Sequence, residues 1–403
     1  MTRPPPRREG VLVLGEIAML SGTHRNPVQE QVIYGLPALE AVRDLARRLG
    51  ASRLLIVTTA SLASTGGLAR GLADGLGSAC VGVFSGVSAH SPRESVIAGA
   101  AEARRQDADL LVALGGGSVI DAAKVMQLAL WAGVDRPDGL DAVRAGAPSV
   151  ATLAPGVRMI AVPTTLSAAE FTAFAGVTDA ARKAKEGYAH PSLAPRAVVL
   201  DPRMTVQTPS SLWASTGVKA IDHAIEQLCA PVRAPFADAL TEAGLARLAT
   251  GLPASKKLQD ELEARLECQI GMWLAMAGAS AGHGLGVSHA IGHTLGGTYG
   301  VPHGITSCVI LPAVLRWNLP ASADRQAVVA ECLGAPGRAA ADALVGLIAS
   351  LDLPTSLSEV GVSREDFSAI AEHTLHDRGV RSNPRPVTGA SDIVEILELA
   401  WRA

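Results

Sequence analysis

Aromatic side chains are scarce in this chain of 403 residues, with only 5 Phe, 5 Trp and 3 Tyr, so aliphatic and alanine packing must fill its interior. An excess of charge is missing as well. Lys plus Arg number 35 against 38 Asp plus Glu, which removes the electrostatic case for a nucleic acid or an anionic membrane as partner. No stretch of 18 apolar residues occurs, so no membrane-spanning helix is expected and the chain reads as soluble. The five cysteines, Cys80, Cys229, Cys268, Cys308 and Cys332, form no CxxC pair; a reduced, cytoplasmic compartment is the expectation. The start, MTRPPPRREG, is basic, but the apolar stretch behind it holds Glu16 and no small-residue cleavage signal follows. It reads as a tail, not a signal peptide.

What is present is 48% hydrophobic and 18% charged, the balance of a packed globular protein. The length calls for two domains. Residues 1–30 read as an extension. From Gln31 strands and helices alternate: a strand at 31–35, a helix at 36–49, a continuous apolar strand RLLIVTT at 53–59, a helix at 62–76, a strand at 80–87, a helix at 91–106 and a strand at 109–117. Further strands are expected at 158–165 and 197–202. Alternation of this kind predicts a parallel α/β sheet with right-handed crossovers. Beyond residue 202 helical periodicity dominates, at 210–228, 236–248, 256–279, 283–295, 307–315 and 339–351. The expected division is therefore an α/β domain at 31–202 and an all-α domain at 203–403.

Three stretches carry chemistry. LVALGGGSVIDAAK (111–124) is an apolar strand, three glycines and a serine, then a helix expected to begin near Val119. Glycines let a backbone approach a pyrophosphate, and a helix N-terminus offers it free N–H groups. A tight βα turn without a ligand is the alternative; the stretch is not a GxGxxG fingerprint, which disfavours an ordinary Rossmann dehydrogenase. PTTLSAAEFT (163–172) ends another strand in the hydroxyls Thr164, Thr165 and Ser167, suited to a cofactor's ribose or amide, although a Thr/Ser turn alone explains it as well. The third is AGHGLGVSHAIGHTLGGTYGVPHGITSCVILP (281–312), with four of the chain's ten histidines. His289 and His293 share one helical face, and the glycines at 296, 297 and 300 provide a reversal that returns His303 towards them. Lys219 and His223 are likewise four apart on one helix. Asp222, adjacent to His223, is expected to point about 100° away.

In this order and spacing, GGGSVIDAAK, PTT with Glu170, Asp201-Pro202, TG-x4-DHAIE and HAIGHTLGG-x5-PHG resemble the iron-containing (group III) alcohol dehydrogenase superfamily. PTTLSAAEFT, AHSPRES (89–95) and SNPRPVTGASDIVEILELAW (382–401) look most like its maleylacetate reductases, which use NADH or NADPH to reduce maleylacetate to 3-oxoadipate in aromatic-compound catabolism. The resemblance implies the dehydroquinate synthase-like fold of the group, a dinucleotide domain and a helical catalytic domain with the site between them, and a homodimer. It implies that Gly116, Gly117 and Ser118 hold the pyrophosphate, and that Asp121, Thr164, Thr165 and Lys185 contact the rest of the cofactor. Thr59 stands where NAD-preferring relatives carry an aspartate, so NADPH is permitted beside NADH.

Metal-dependent members bind iron or zinc through an aspartate and three histidines. The histidines match His223, His289 and His303; the aspartate position is Lys219. A lysine at neutral pH is a cation without an acceptor, so a catalytic metal is not expected. Lys219 is expected instead to polarise a substrate carbonyl or carboxylate; the alternative is that it reaches a neighbouring Asp or Glu. His293 is the candidate proton donor, with His303 and Lys219 stabilising the developing oxyanion or enolate. A structural role is expected for His283. His90 and Arg385 are weaker candidates, for the cofactor and for a substrate carboxylate. Loops 166–174 and 382–387 carry few charges, which leaves room for a less charged substrate. The competing readings are a metal-dependent alcohol dehydrogenase, a non-redox lyase or cyclase on the same fold, and a silent binding protein.

Overall fold

A computed structural model describes residues 12–14, 17–19, 29–64, 66–182, 184–257, 261–282 and 284–401. His283 and most of the N-terminal extension lie outside the described residues. Within that extension β1 (Leu12–Leu14) and β2 (Ile17–Met19) pair antiparallel. A sheet of six parallel strands follows: β3 (Gln31–Tyr34), β4 (Leu54–Val57), β5 (Cys80–Phe84), β6 (Leu110–Gly115), β7 (Arg158–Pro163) and, after an inserted hairpin, β10 (Ala197–Leu200). Their order across the sheet is β3-β10-β7-β6-β4-β5, and every neighbouring pair is parallel.

The runs LLIV and LLVALG are buried throughout because both faces of the sheet are covered. Leu54, Ile56, Leu110 and Val112 face α1 (Ala38–Leu49) and α3 (Leu68–Leu76). Leu55, Val57, Leu111 and Ala113 face the layer of α4 (Arg93–Arg105) and α5 (Gly117–Trp131). The chain leaves β4 for β5 on one side and returns to β6 on the other. The crevice at the carboxyl ends of β4 and β6 is thus the switch point where open α/β sheets bind ligands, and Thr59 and Gly115 to Gly117 stand there.

The rest is helical: α6 (Ser210–Leu228), α7 (Pro235–Lys257), α8 (Leu262–Ala281), α9 (Val287–Tyr299), α10 (His303–Cys332), α11 (Ala340–Ser350), α12 (Phe367–Thr374) and α13 (Ala390–Trp401). Val287, Ile291, Val309, Ile310, Ile396 and Leu397 form a second core joining α9, α10 and α13. No helix among the described residues is long and apolar enough to cross a membrane.

Several boundaries differ from expectation. The helix expected at 62–76 divides into α2 (Ala60–Ala63) and α3, because Gly66 turns the chain at a φ of 76°. The helix expected at 307–315 belongs to the 30-residue α10, which runs through Pro312 and Pro320 and kinks at Ser322. The expected start at Val119 moves back to Gly117. A hairpin, β8 (Phe174–Asp179) with β9 (Ala184–Ala189), was not expected; its first strand packs on α5.

Candidate active site

The glycine turn lies directly against the loop after β7. A Cβ on Gly116 would stand 2.9 Å from Thr165 Cγ2, and one on Gly117 would stand 3.0 Å from Ser167 Oγ. A larger residue at either position would require the Thr165 or Ser167 side chain to shift. The Thr165 and Ser167 hydroxyls are buried beside this turn without a hydrogen-bond partner. Backbone open to close approach, a helix N-terminus and unsatisfied hydroxyls together fit a dinucleotide phosphate. Thr164 is held by its backbone: its N–H donates to Gly115 O, and its carbonyl accepts from Thr208 Oγ1.

Two expected cofactor residues have structural partners as well. Ser118 Oγ accepts from His90 N and Ser118 O accepts from Ser91 Oγ, which clasps the 88–91 loop to the start of α5. Asp121 Oδ2 accepts from Gly176 N and so anchors β8. Lys185 on β9 lies over Gly176, close enough that a Cβ there would meet its Cε at 2.3 Å. Its charge favours the ionised form of Asp121 and disfavours the charged forms of Lys219 and His303. Thr59 caps α2 through Leu62 N. The His90 side chain is exposed, and its carbonyl accepts from Thr178 Oγ1.

Behind the loop, Lys124 Nζ donates to Ala169 O, Thr172 Oγ1 and Phe174 O. Both carboxyl oxygens of Glu170 are buried without a partner, and burial pushes this carboxyl up to about 7. The folded chain therefore keeps a proton that the unfolded chain releases near its ordinary value, so stability falls as pH rises from about 4.5 to about 7 and then levels. Glu170→Gln should remove this slope and stabilise the protein at pH 8 by on the order of 1–3 kcal/mol relative to wild type. Urea unfolding at pH 5.5 and at pH 8 checks it; equal slopes for the two proteins would refute it.

The catalytic candidates converge from three helices. On α6, Lys219 and His223 are four apart, as are Asp222 and Glu226, so two rows run side by side along a buried part of the helix. Asp222 stands about 100° round the helix from His223 and still borders Lys219, its Oδ2 3.6 Å from Lys219 Nζ, because the long lysine stem spans the offset between positions three apart; this is the neighbouring-acid contact given above as the alternative for Lys219. From α9, His289 stacks on His223 with ring centroids 4.9 Å apart. His293, one turn on, stacks on His303 at 5.6 Å and is 6.4 Å from His289. Gly300, at a φ of 69°, ends α9 and reverses the chain so that α10 begins at His303. The four imidazoles thus form one row.

Carboxylates fix this row from behind. Glu226 accepts from Gly286 N at 2.6 Å, Ser288 N at 2.7 Å and His289 Nδ1 at 2.6 Å, so a side chain of α6 caps α9 and sets its imidazole. Asp222 Oδ2 accepts from the Ser288 and Ser307 hydroxyls. His293 Nδ1 pairs with Asp377 Oδ2 at 2.8 Å. Burial, aided by Lys219, holds His223 and His303 well below the usual imidazole value; burial does the same to His289 although Asp222 opposes it. Three of the four rings are therefore neutral near pH 7. Burial also lowers Lys219 against the pull of Asp222 and Glu226. Lys219 Nζ, His223 Nδ1 and His289 Nε2 are buried without hydrogen-bond partners, a set of groups made to meet a polar ligand.

On the helix face of His223, the position where the resemblance places the anionic metal ligand holds Lys219, which as a cation has no acceptor. Asp222, Glu226 and His289 do bring ligand atoms within 4.8 Å of one another. Both Glu226 oxygens and one Asp222 oxygen are already occupied by N–H and O–H donors, however, and the cation beside them is Lys219. Arg385 calls for a correction. Its guanidinium lies 3.9 Å over the Trp317 ring and donates to Trp317 O, so packing and the nearby Glu395 employ it instead of the crevice. Glu226 was legible as the residue three past His223; Asp377, 84 residues from its partner, had no sequence signal.

Comparison with known proteins shows the family. Residues 29–202 match the family described as iron-containing alcohol dehydrogenase, and residues 213–401 match the Fe-containing alcohol dehydrogenase family, C-terminal. The chain is 36% identical over 386 residues to dehydrogenase ALT3 of Alternaria alternata, covering 87% of this chain and 99% of that one. It is 32% identical to maleylacetate reductase 2 of Cupriavidus pinatubonensis, covering 92% and 94%. The crystal structure of maleylacetate reductase from Agrobacterium tumefaciens superposes with a TM-score of 0.80 at 27% identity, covering 95% and 99%.

Proposed function

The chain belongs to the iron-containing alcohol dehydrogenase family, and on that premise we propose that it is an NAD(P)H-dependent reductase of the maleylacetate type, acting on an oxo acid or related carbonyl with Lys219 in place of a metal. The observation that carries the reading is the buried Lys219 ammonium, without a hydrogen-bond partner and 3.6 Å from Asp222, on the helix that presents His223 to the row of imidazoles. Gly116, Gly117, Thr165 and Lys185 would hold the cofactor, which supplies a hydride when bound. Lys219, with His303, would draw the substrate's oxygen and bear the negative charge that develops on it. His223 and His289, neutral and fixed by Glu226, would exclude water and orient the substrate. His293, the one exposed ring of the row, would deliver the proton. The proposal carries with it a small-molecule substrate and the family's homodimer.

The test is NAD(P)H consumption with maleylacetate, run beside a screen of oxo acids and aldehydes, with metal content measured on the same preparation. The reading expects turnover that a chelator leaves unchanged. One zinc or iron per chain, lost on chelation together with activity, would overturn it.

A second expectation concerns the cofactor. Residues 58–64 contain no carboxylate, and Thr59 spends its hydroxyl on capping α2. Nothing there repels a 2′-phosphate, so kcat/KM with NADH and with NADPH should differ by less than about a hundredfold. A strict NADH preference in steady-state assays would count against it.

A further inference from the structure

We infer that Asp377 is a positioning residue that keeps the His293 Nδ1 proton in place, so that Nε2 is the atom that takes up a proton and passes it to substrate. The inference rests on His293 as proton donor in the reaction proposed above. Asp377 Oδ2 meets His293 Nδ1 at 2.8 Å, while Asp377 Oδ1 accepts from Gly379 N at 2.8 Å. Both carboxylate oxygens are thereby fixed, and the acid cannot turn away from the ring. Its segment is itself clamped to the start of α9, where Ser382 Oγ donates to Leu285 O.

An acceptor with no proton of its own leaves only one arrangement for a neutral ring: Nδ1 donates to Asp377, and Nε2 remains the exchanging atom. Asp377 also stabilises the imidazolium that forms when Nε2 takes up a proton. A bound reduced nicotinamide would supply the hydride and be oxidised in doing so, and the Nε2 proton of the His293 imidazolium would complete the addition across the substrate's double bond. His293 returns to the neutral Nδ1–H form and takes a new proton from solvent. Its location suits that cycle: the His293 side chain is 50% exposed, and the ring lies stacked on His303 at the crevice. The buried pair of His289 and Glu226 has no such opening.

Asp377→Asn is the informative change. Its carbonyl can still accept from Gly379 N, but its NH2 then faces His293 Nδ1 and imposes the opposite tautomer. With the oxo substrate, kcat should fall about 10- to 100-fold, with KM for the cofactor and the unfolding midpoint little changed. In a His293→Ala background the same substitution should change kcat less than about twofold. Equal losses in both backgrounds would make Asp377 merely structural and overturn the inference. Full activity of His293→Ala would instead remove His293 from the reaction, whereas a silent Asp377→Asn beside a crippled His293→Ala would sink the inference alone. The tautomer can also be read without substrate. In 15N-histidine-labelled protein, with the His293 signals assigned through His293→Gln, wild type should show protonated Nδ1 and Asp377→Ala a mixture. A mixture in wild type would overturn the inference as well.

Discussion

Lys219→Met should lower kcat/KM for the oxo substrate by about a hundred- to a thousandfold, equivalent to about 3–4 kcal/mol of lost transition-state stabilisation. Methionine keeps the length and apolar body of the lysine stem, so packing on the buried face of α6 is retained and the charge alone is removed. Asp222, already held above the usual carboxylate range by burial, can then take up a proton and remain bonded to Ser288 and Ser307. The fold should survive, with cofactor affinity close to wild type. Lys219→Asp should also abolish the reductase activity, for a different reason. It restores an anionic ligand beside His223, so that this variant, unlike wild type, should copurify with or take up about one zinc or iron per chain. Steady-state kinetics and elemental analysis of the three proteins form the check. Lys219→Met within a few fold of wild type would show that the ammonium carries no part of the chemistry.

The second large effect is expected at Glu226. Its carboxylate answers two backbone amides at the start of α9 and the His289 ring, and burial pushes it up to about 7 despite those donors. Glu226→Ala leaves two amides and one imidazole N–H unsatisfied in the interior, at about 1–3 kcal/mol each. It also removes the acidic group at a helix N-terminus. A net loss on the order of 3–5 kcal/mol is expected, seen as a lower urea midpoint, together with collapse of turnover as His289 loses its orientation. Glu226→Gln retains one acceptor oxygen and should recover part of the stability but less of the activity. A Glu226→Ala protein as stable as wild type would mean that α9 is held by its apolar contacts alone.

The sheet was legible because its strands are unbroken apolar runs, and a parallel strand covered on both faces leaves no other pattern. The hairpin β8–β9 was not, since AKEGYA carries two charges and a glycine within six residues and shows little apolar period. Long α10 was hidden by Pro312 and Pro320, which as residues mark helix ends; here the helix continues past both and bends only at Ser322. Within the site, positions four apart on one helix were enough to pair Lys219 with His223 and His289 with His293. Contacts between helices were out of reach. Nothing in the spacing of Asp377 reveals that it lies against His293, and Arg385, for all its promise as an anion binder, is spent on Trp317 by a packing choice that only tertiary structure makes.

Gly304, the second residue of α10, has a consequence of its own. A Cβ there would stand 2.7 Å from the backbone of Ser215, so α10 rests on the main chain of α6 one turn before Lys219. The spacing between the Lys219 and His303 segments is therefore set by contact between backbones and owes nothing to whatever occupies the crevice. Such a frame holds its imidazoles at the same separation whether an acid or an amine stands at position 219. If Lys219 acts as proposed, exchanging an ion for an ammonium needs one codon and no rebuilding of this frame.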